Sequence, residues 1–183
     1  MASDASRPER LFIGVPVTSD ARDAIARALQ KNLPGKPGAP DKWHFTLRFL
    51  GATESETRDK IIAGLSSARL GSGFQVRFDL LGAFPNPRRA RILWLGLTKG
   101  GERLCELAAI AEGVARTAGF PAEARAFKPH LTLSRIDPPQ SIASLLEQNH
   151  RYDFAMTVAA VILYRSKLGG GPARYEEVAR FAL

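Results

Sequence analysis

The chain carries one cysteine, two methionines, two tryptophans and three histidines in 183 residues, and no apolar run approaches the length of a membrane span. A lone thiol, Cys105, rules out an intramolecular disulfide and is compatible with a reducing compartment. Nothing is long and apolar enough for a transmembrane helix, and the first ten residues lack the apolar segment of a secretory signal. A cytoplasmic protein without a membrane partner is therefore expected. No Cys-x-x-Cys or His-x-x-x-His pair occurs, and no carboxylate pair flanks a histidine, so the clustered ligands of a zinc site are missing. No metal and no cofactor is expected. Gly71-x-Gly73 lacks the rest of a dinucleotide fingerprint, and no phosphate-binding Gly-rich loop ending in Lys-Ser or Lys-Thr is present, so ATP hydrolysis is not expected to drive anything. Acidic residues are also short: 18 Asp plus Glu face 26 Lys plus Arg, a net charge of +8. That excess suits a polyanionic partner and speeds encounter with one, although an Arg-rich surface also serves solubility.

Two of the three histidines open the same tetrad, His44-Phe45-Thr46-Leu47 and His130-Leu131-Thr132-Leu133. With eight threonines in the chain, chance places a threonine two residues after two of three histidines in roughly half a per cent of such sequences, before the apolar positions are counted. Side chains alternate faces along a β-strand. His44 and Thr46 then share one face while Phe45 and Leu47 enter a core, and His130 and Thr132 do the same against Leu131 and Leu133. Two imidazoles presented in this way can serve as one acid and one base near neutral pH, where unperturbed histidine titrates. The threonines, as strand formers, also fit a merely structural part. Their repeated parity with the histidines favours phosphate hydrogen bonding.

The paired tetrads resemble those of the two-histidine (2H) phosphoesterase superfamily. The segments from His44 to Gly51 and from Phe127 to Arg135 are similar to its RNA 2′,3′-cyclic phosphodiesterase branch, long called 2′-5′ RNA ligases. Arg91 to Leu97 and Gly171 to Glu176 match further parts of that branch, so the resemblance covers essentially the whole chain from Leu11. It implies a bilobal α+β fold with two antiparallel sheets lining a central cleft and helices outside. It also implies hydrolysis of RNA 2′,3′-cyclic ends at the P–O3′ bond, leaving a 2′-phosphomonoester. In the family's usual assignment His44 is the proton donor and His130 the proton acceptor; the two tetrads, chemically alike, do not order them. Acting on a 5′-hydroxyl, the same site would join RNA ends through a 2′-5′ bond without ATP.

The remaining pattern agrees with α+β. Strands are expected at Leu11 to Val17, Phe74 to Leu81, Arg91 to Leu97 and Lys128 to Ile136, the last cut off by Asp137-Pro138-Pro139. Tyr152 to Tyr164 and Tyr175 to Ala182 look like a closing strand pair. Helices are expected from Asp20 to Lys31 behind Ser19, from a Thr53/Glu56 capping box to Arg69, from Gly101 to Ala118, and from Ser141 to Asn149. The 86-residue offset between the tetrads suggests two pseudo-symmetric lobes within one domain, residues 1–183, behind a polar tail of residues 1–9; a monomer is expected.

Arg48 shares parity with His44 and Thr46, so it either reaches the cleft or caps an exposed strand end. Arg135 is out of parity with His130, yet it precedes the proline break and matches the family's trailing arginine, which favours contact with phosphate. Asn86 to Arg91 reads as a basic turn, by default a solvated loop and otherwise a contact to the RNA backbone. Trp43 and Phe49 flank the first tetrad, more as core than as base-stacking groups. His150 fits a helix end. The expected partner is RNA or a nucleotide with a 2′,3′-cyclic phosphate. The rival readings are a phosphodiesterase for 2′-5′ oligonucleotides or small nucleotide cyclic phosphates, and a non-catalytic RNA-binding module.

Overall fold

The structure is a computed structural model that describes residues 7–29, 33–148, 152–169 and 171–183. The expectation for His150 falls outside the described residues. Among the described residues nine strands form two antiparallel sheets, ordered β3-β1-β8-β9 and β2-β6-β5-β4-β7. The first sheet holds β1 (Glu9–Pro16), β3 (His44–Thr53), β8 (Ala160–Gly169) and β9 (Gly171–Ala182). The second holds β2 (Lys36–Pro37), β4 (Phe74–Phe84), β5 (Ala90–Lys99), β6 (Leu131–Gln140) and β7 (Phe154–Val158). Four α-helices among the described residues accompany them: α1 (Ser19–Leu29), α2 (Ser55–Ser67), α3 (Gly101–Thr117) and α4 (Ala143–Glu147). This is the α+β class that the sequence pattern favoured, with the two antiparallel sheets that the family resemblance implied. Among the described residues no helix is long and apolar enough to cross a membrane.

The helices tie the sheets together by crossing over. α1 follows β1 of the first sheet yet contacts β7 of the second, while α3 follows β5 of the second and packs on β3 of the first. One continuous core results. Ile13, Val15, Phe45 and Leu47 from the first sheet meet Val76, Phe78, Leu131 and Leu133 from the second, with Leu104, Leu107 and Ala111 of α3 among them. The rings of Phe45 and Phe78 stack at 5.7 Å across the junction. Each such fully buried aromatic or aliphatic side chain contributes about 1.5–3 kcal/mol, so the apolar members of both tetrads anchor their strands in the core.

Several elements differ from the sequence reading. Residues 152–164 do not form one strand: β7 ends at Val158 and β8 begins at Ala160 in the other sheet. Both segments are apolar and β-rich, and periodicity does not show where a chain changes sheets. β6 passes through Pro138 and Pro139 to Gln140 because its pairing with β5 jumps from Ile92–Arg135 to Ala90–Gln140. The prolines sit in that irregularity, where no ladder N–H is required. The Thr53/Glu56 capping box does not form. Thr53 Oγ1 donates to the Gly51 carbonyl instead, and Glu54 occupies the position before α2.

Candidate active site

β3 and β6 belong to different sheets but approach within 8 Å between Cα atoms, which brings the two tetrads together. Both strands carry the same defect at the same point. Between Ile13 and Gly14 the pairing on β3 skips from Arg48 to Thr46, and between Leu93 and Trp94 the pairing on β6 skips from Ser134 to Thr132. Leu47 and Leu133, the last residue of each tetrad, are thus the extra residues of two equivalent β-bulges. A bulge reverses side-chain parity beyond it. Arg135 therefore returns to the face of Thr132, which resolves its mismatch with His130: Thr132 pairs with Trp94 and Arg135 with Ile92, two residues of one face of β5.

The same reversal corrects the expectation for Arg48. Its simple parity placed it beside His44 and Thr46, but the bulge turns it to the opposite face, where it is 8% exposed. Its guanidinium donates to the carbonyls of Phe49 at 2.9 Å and Pro121 at 2.6 Å. It pairs with Glu123 at 2.9 Å, and its Nε lies 2.6 Å from Glu112 Oε2 as an ion pair without a straight hydrogen bond. Arg48 fastens β3 to α3 and to the loop after it. It is not brought to the histidines. Phe49 takes the outward position instead, 43% exposed, with the Arg10 guanidinium 5.0 Å from its ring centre. Phe49 and Arg135 each lie five residues past a tetrad histidine, so the two halves of the site differ here, with an aromatic ring on one and a cation on the other.

The imidazoles are held alike. His44 Nδ1 lies 2.7 Å from the Lys42 carbonyl, and His130 Nδ1 lies 2.6 Å from the Lys128 carbonyl. A carbonyl only accepts, so Nδ1 carries the hydrogen in each ring and Nε2 is the nitrogen left for chemistry. An aromatic ring meets each imidazole edge-on: Tyr175 against His44 at 5.2 Å and Phe84 against His130 at 5.0 Å, both with interplanar angles of 89°. Phe12, stacked with Tyr164 at 4.9 Å, lies 4.7 Å from His44. Trp94 lies flat over Gly82 and Gly96, where a Cβ would fall 2.2 Å and 2.8 Å from its indole. These aromatics have no mark in the sequence; only the strand register gathers them.

Burial pushes both imidazoles below their ordinary value, the carbonyl hydrogen bonds pull the other way, and the Arg135 guanidinium adds to the depression. One cation acting on both rings places Arg135 electrostatically within reach of each. Thr46 and Thr132 are half-buried, and neither hydroxyl has a protein hydrogen-bond partner among the described residues. The structure thus gathers His44, Thr46, His130, Thr132 and Arg135. Arg88 and Arg89 sit exposed on a short turn capped by the Asn86 side chain, which accepts from both of their backbone N–H groups at 3.1 Å. Among the described residues no group of three His, Cys, Asp or Glu side chains is placed to hold a metal ion. Cys105 is exposed.

Known proteins resemble this chain along most of its length. A family model described as LigT-like phosphoesterase matches residues 15–94 and 97–173, each stretch holding one tetrad. The chain is 30% identical over 181 residues to an RNA 2′,3′-cyclic phosphodiesterase of Escherichia coli, covering 97% of this chain and 98% of that protein. It is 35% identical over 141 residues to one of Thermus thermophilus, covering 71% and 70%. The crystal structure of Escherichia coli LigT complexed with 3′-AMP superposes with a TM-score of 0.79 at 28% identity, over 96% of this chain and 98% of that one. With a family model spanning both tetrads and near full-length relatives of this similarity, the chain belongs to the LigT-like, two-histidine phosphoesterases.

Proposed function

We propose that this protein hydrolyses RNA 2′,3′-cyclic phosphodiester ends to 2′-phosphomonoesters by acid–base catalysis between His44 and His130. The observation that carries the reading is the matched pair of imidazoles, each with Nδ1 tied to a backbone carbonyl and Nε2 left free, beside two unpartnered threonine hydroxyls and one arginine. Water adds to phosphorus as His130 Nε2 takes its proton. The P–O3′ bond breaks as His44 Nε2 delivers a proton to O3′, which leaves as a hydroxyl on the same ribose. In-line displacement places nucleophile and leaving group on opposite sides of phosphorus, which is why the two bases come from separate sheets. Thr46, Thr132 and Arg135 hold the non-bridging oxygens and offset their charge as the transition state forms. Solvent exchange then resets both rings. No metal has a part in these steps. A 5′-hydroxyl in place of water would give a 2′-5′ linkage by the same displacement.

The test is His44→Ala and His130→Ala, each assayed on a nucleoside 2′,3′-cyclic phosphate. Because both rings lie outside the apolar core, the fold should persist while turnover drops by about 10²–10⁴-fold in each. Activity above about a tenth of wild type in either variant contradicts the paired mechanism.

A further inference from the structure

The two sides of the cleft are unequal beyond Phe49 and Arg135. A pocket of about 500 Å³ opens beside His44, lined by Arg22, Lys42, Arg174, Tyr164 and Tyr175 with His44 itself, a volume within the range of small-molecule sites. Arg22 donates to the Asp41 carbonyl at 3.3 Å, and among the described residues no carboxylate forms an ion pair with Arg22, Lys42 or Arg174. Two acids, Asp41 and Glu177, share the lining, but Glu177 is engaged by Arg180 at 2.6 Å. Among the described residues the pocket thus offers three cations without a carboxylate partner, next to two tyrosines. Burial and the Glu177 carboxylate push the Tyr164 phenol up to about 12, so it stays a neutral hydrogen-bond donor there.

The chemistry says which part of the substrate lies on this side. In the displacement above, the leaving O3′ is apical and remains attached to the ribose, so the nucleoside lies behind O3′, on the side of the proton donor. The ribose carries C5′ on the neighbouring ring carbon, and the next phosphate of the strand hangs from it. We propose that the pocket beside His44 is the subsite for the terminal nucleotide's 5′-phosphate, held by Arg22, Lys42 and Arg174 while Tyr164 and Tyr175 flank the sugar. The proposal rests on the functional reading just given and adds direction to it. The RNA strand then leaves across the first sheet, from a nucleoside lying on the side of the donor His44. The two tetrads alone, being chemically alike, do not decide this.

The experiment compares kcat/KM for one nucleoside 2′,3′-cyclic phosphate with and without a 5′-phosphate, at low salt. The ratio of the two is the readout, so general damage to a variant cancels. Wild type should favour the 5′-phosphorylated substrate by about tenfold or more, the size of one charge-assisted phosphate contact, and the preference should shrink as salt rises. Arg22→Ala and Arg174→Ala should each bring the ratio toward one, and Arg174→Glu should bring it below one. A wild-type ratio near one overturns the subsite, as does a ratio that Arg22→Ala and Arg174→Ala leave unchanged or that Arg88→Ala lowers equally. If wild type hydrolyses neither substrate, it is the functional reading that fails, and the subsite fails with it.

Discussion

Replacing Arg48 with methionine separates a fastening role from a catalytic one. The side chain is 8% exposed and makes contacts to the Phe49 and Pro121 carbonyls, Glu112 and Glu123. Removing one partner of a buried ion pair costs about 3–5 kcal/mol when the other charge stays buried. Glu112 and Glu123 keep 27% and 48% of their side-chain surface exposed, so water recovers part of that loss, and methionine retains the apolar stem. The net cost should be about 2–4 kcal/mol. For a chain of this length each kcal/mol lowers Tm by about 2–4 °C, so thermal melts should shift down by about 4–16 °C. Measured well below the melt, kcat/KM on a nucleoside 2′,3′-cyclic phosphate should stay within about tenfold of wild type, far short of the loss from removing a proton-transfer group. A variant that melts within about 1 °C of wild type yet loses more than about 100-fold in kcat/KM would refute the reasoning, because it would place Arg48 in the chemistry after all.

Two more outcomes follow from the site. Since burial and Arg135 hold both imidazoles of the free enzyme below their ordinary value, the donor loses its proton, and the acceptor becomes neutral, at lower pH than usual. The kcat/KM profile should therefore be a bell displaced to the acid side of about 6.5. Arg135→Ala removes a cation from beside both rings, so both limbs should move up in pH while the maximum falls; limbs that move down, or a single-limbed wild-type profile, contradict the arrangement. Gly82→Ala puts a Cβ where the Trp94 ring lies, 2.2 Å away, and should cost about 1–3 kcal/mol in chemical denaturation. Combining it with Trp94→Phe should cost less than the two changes added; strict additivity would show that the contact does not form.

The tetrads were legible because their signal is local. Residue type, spacing and strand alternation put the two histidines, the two threonines and the four core anchors on their correct faces. Beyond the fourth tetrad residue the alternation rule fails, since Leu47 and Leu133 are bulge residues and nothing in a single sequence marks a bulge. That one event explains both the misplacement of Arg48 and the apparent mismatch of Arg135. The cationic pocket was illegible for another reason. Arg22 on α1, Lys42 before β3 and Arg174 on β9 meet only because β9 pairs β8, and β8 pairs β1. The helix spans were legible within a few residues, whereas the sheet change at Ala159 was not, because apolar β-rich sequence reads alike on either side of it.

The most direct test of the central claim is product analysis on a nucleoside 2′,3′-cyclic phosphate in EDTA, with phosphorus NMR distinguishing the two monoester isomers. The account predicts sustained turnover without any divalent ion and a 2′-phosphomonoester as the sole product. Turnover that stops on chelation and returns with a divalent ion, or a 3′-phosphomonoester as the main product, would contradict a metal-independent displacement in which His44 protonates O3′.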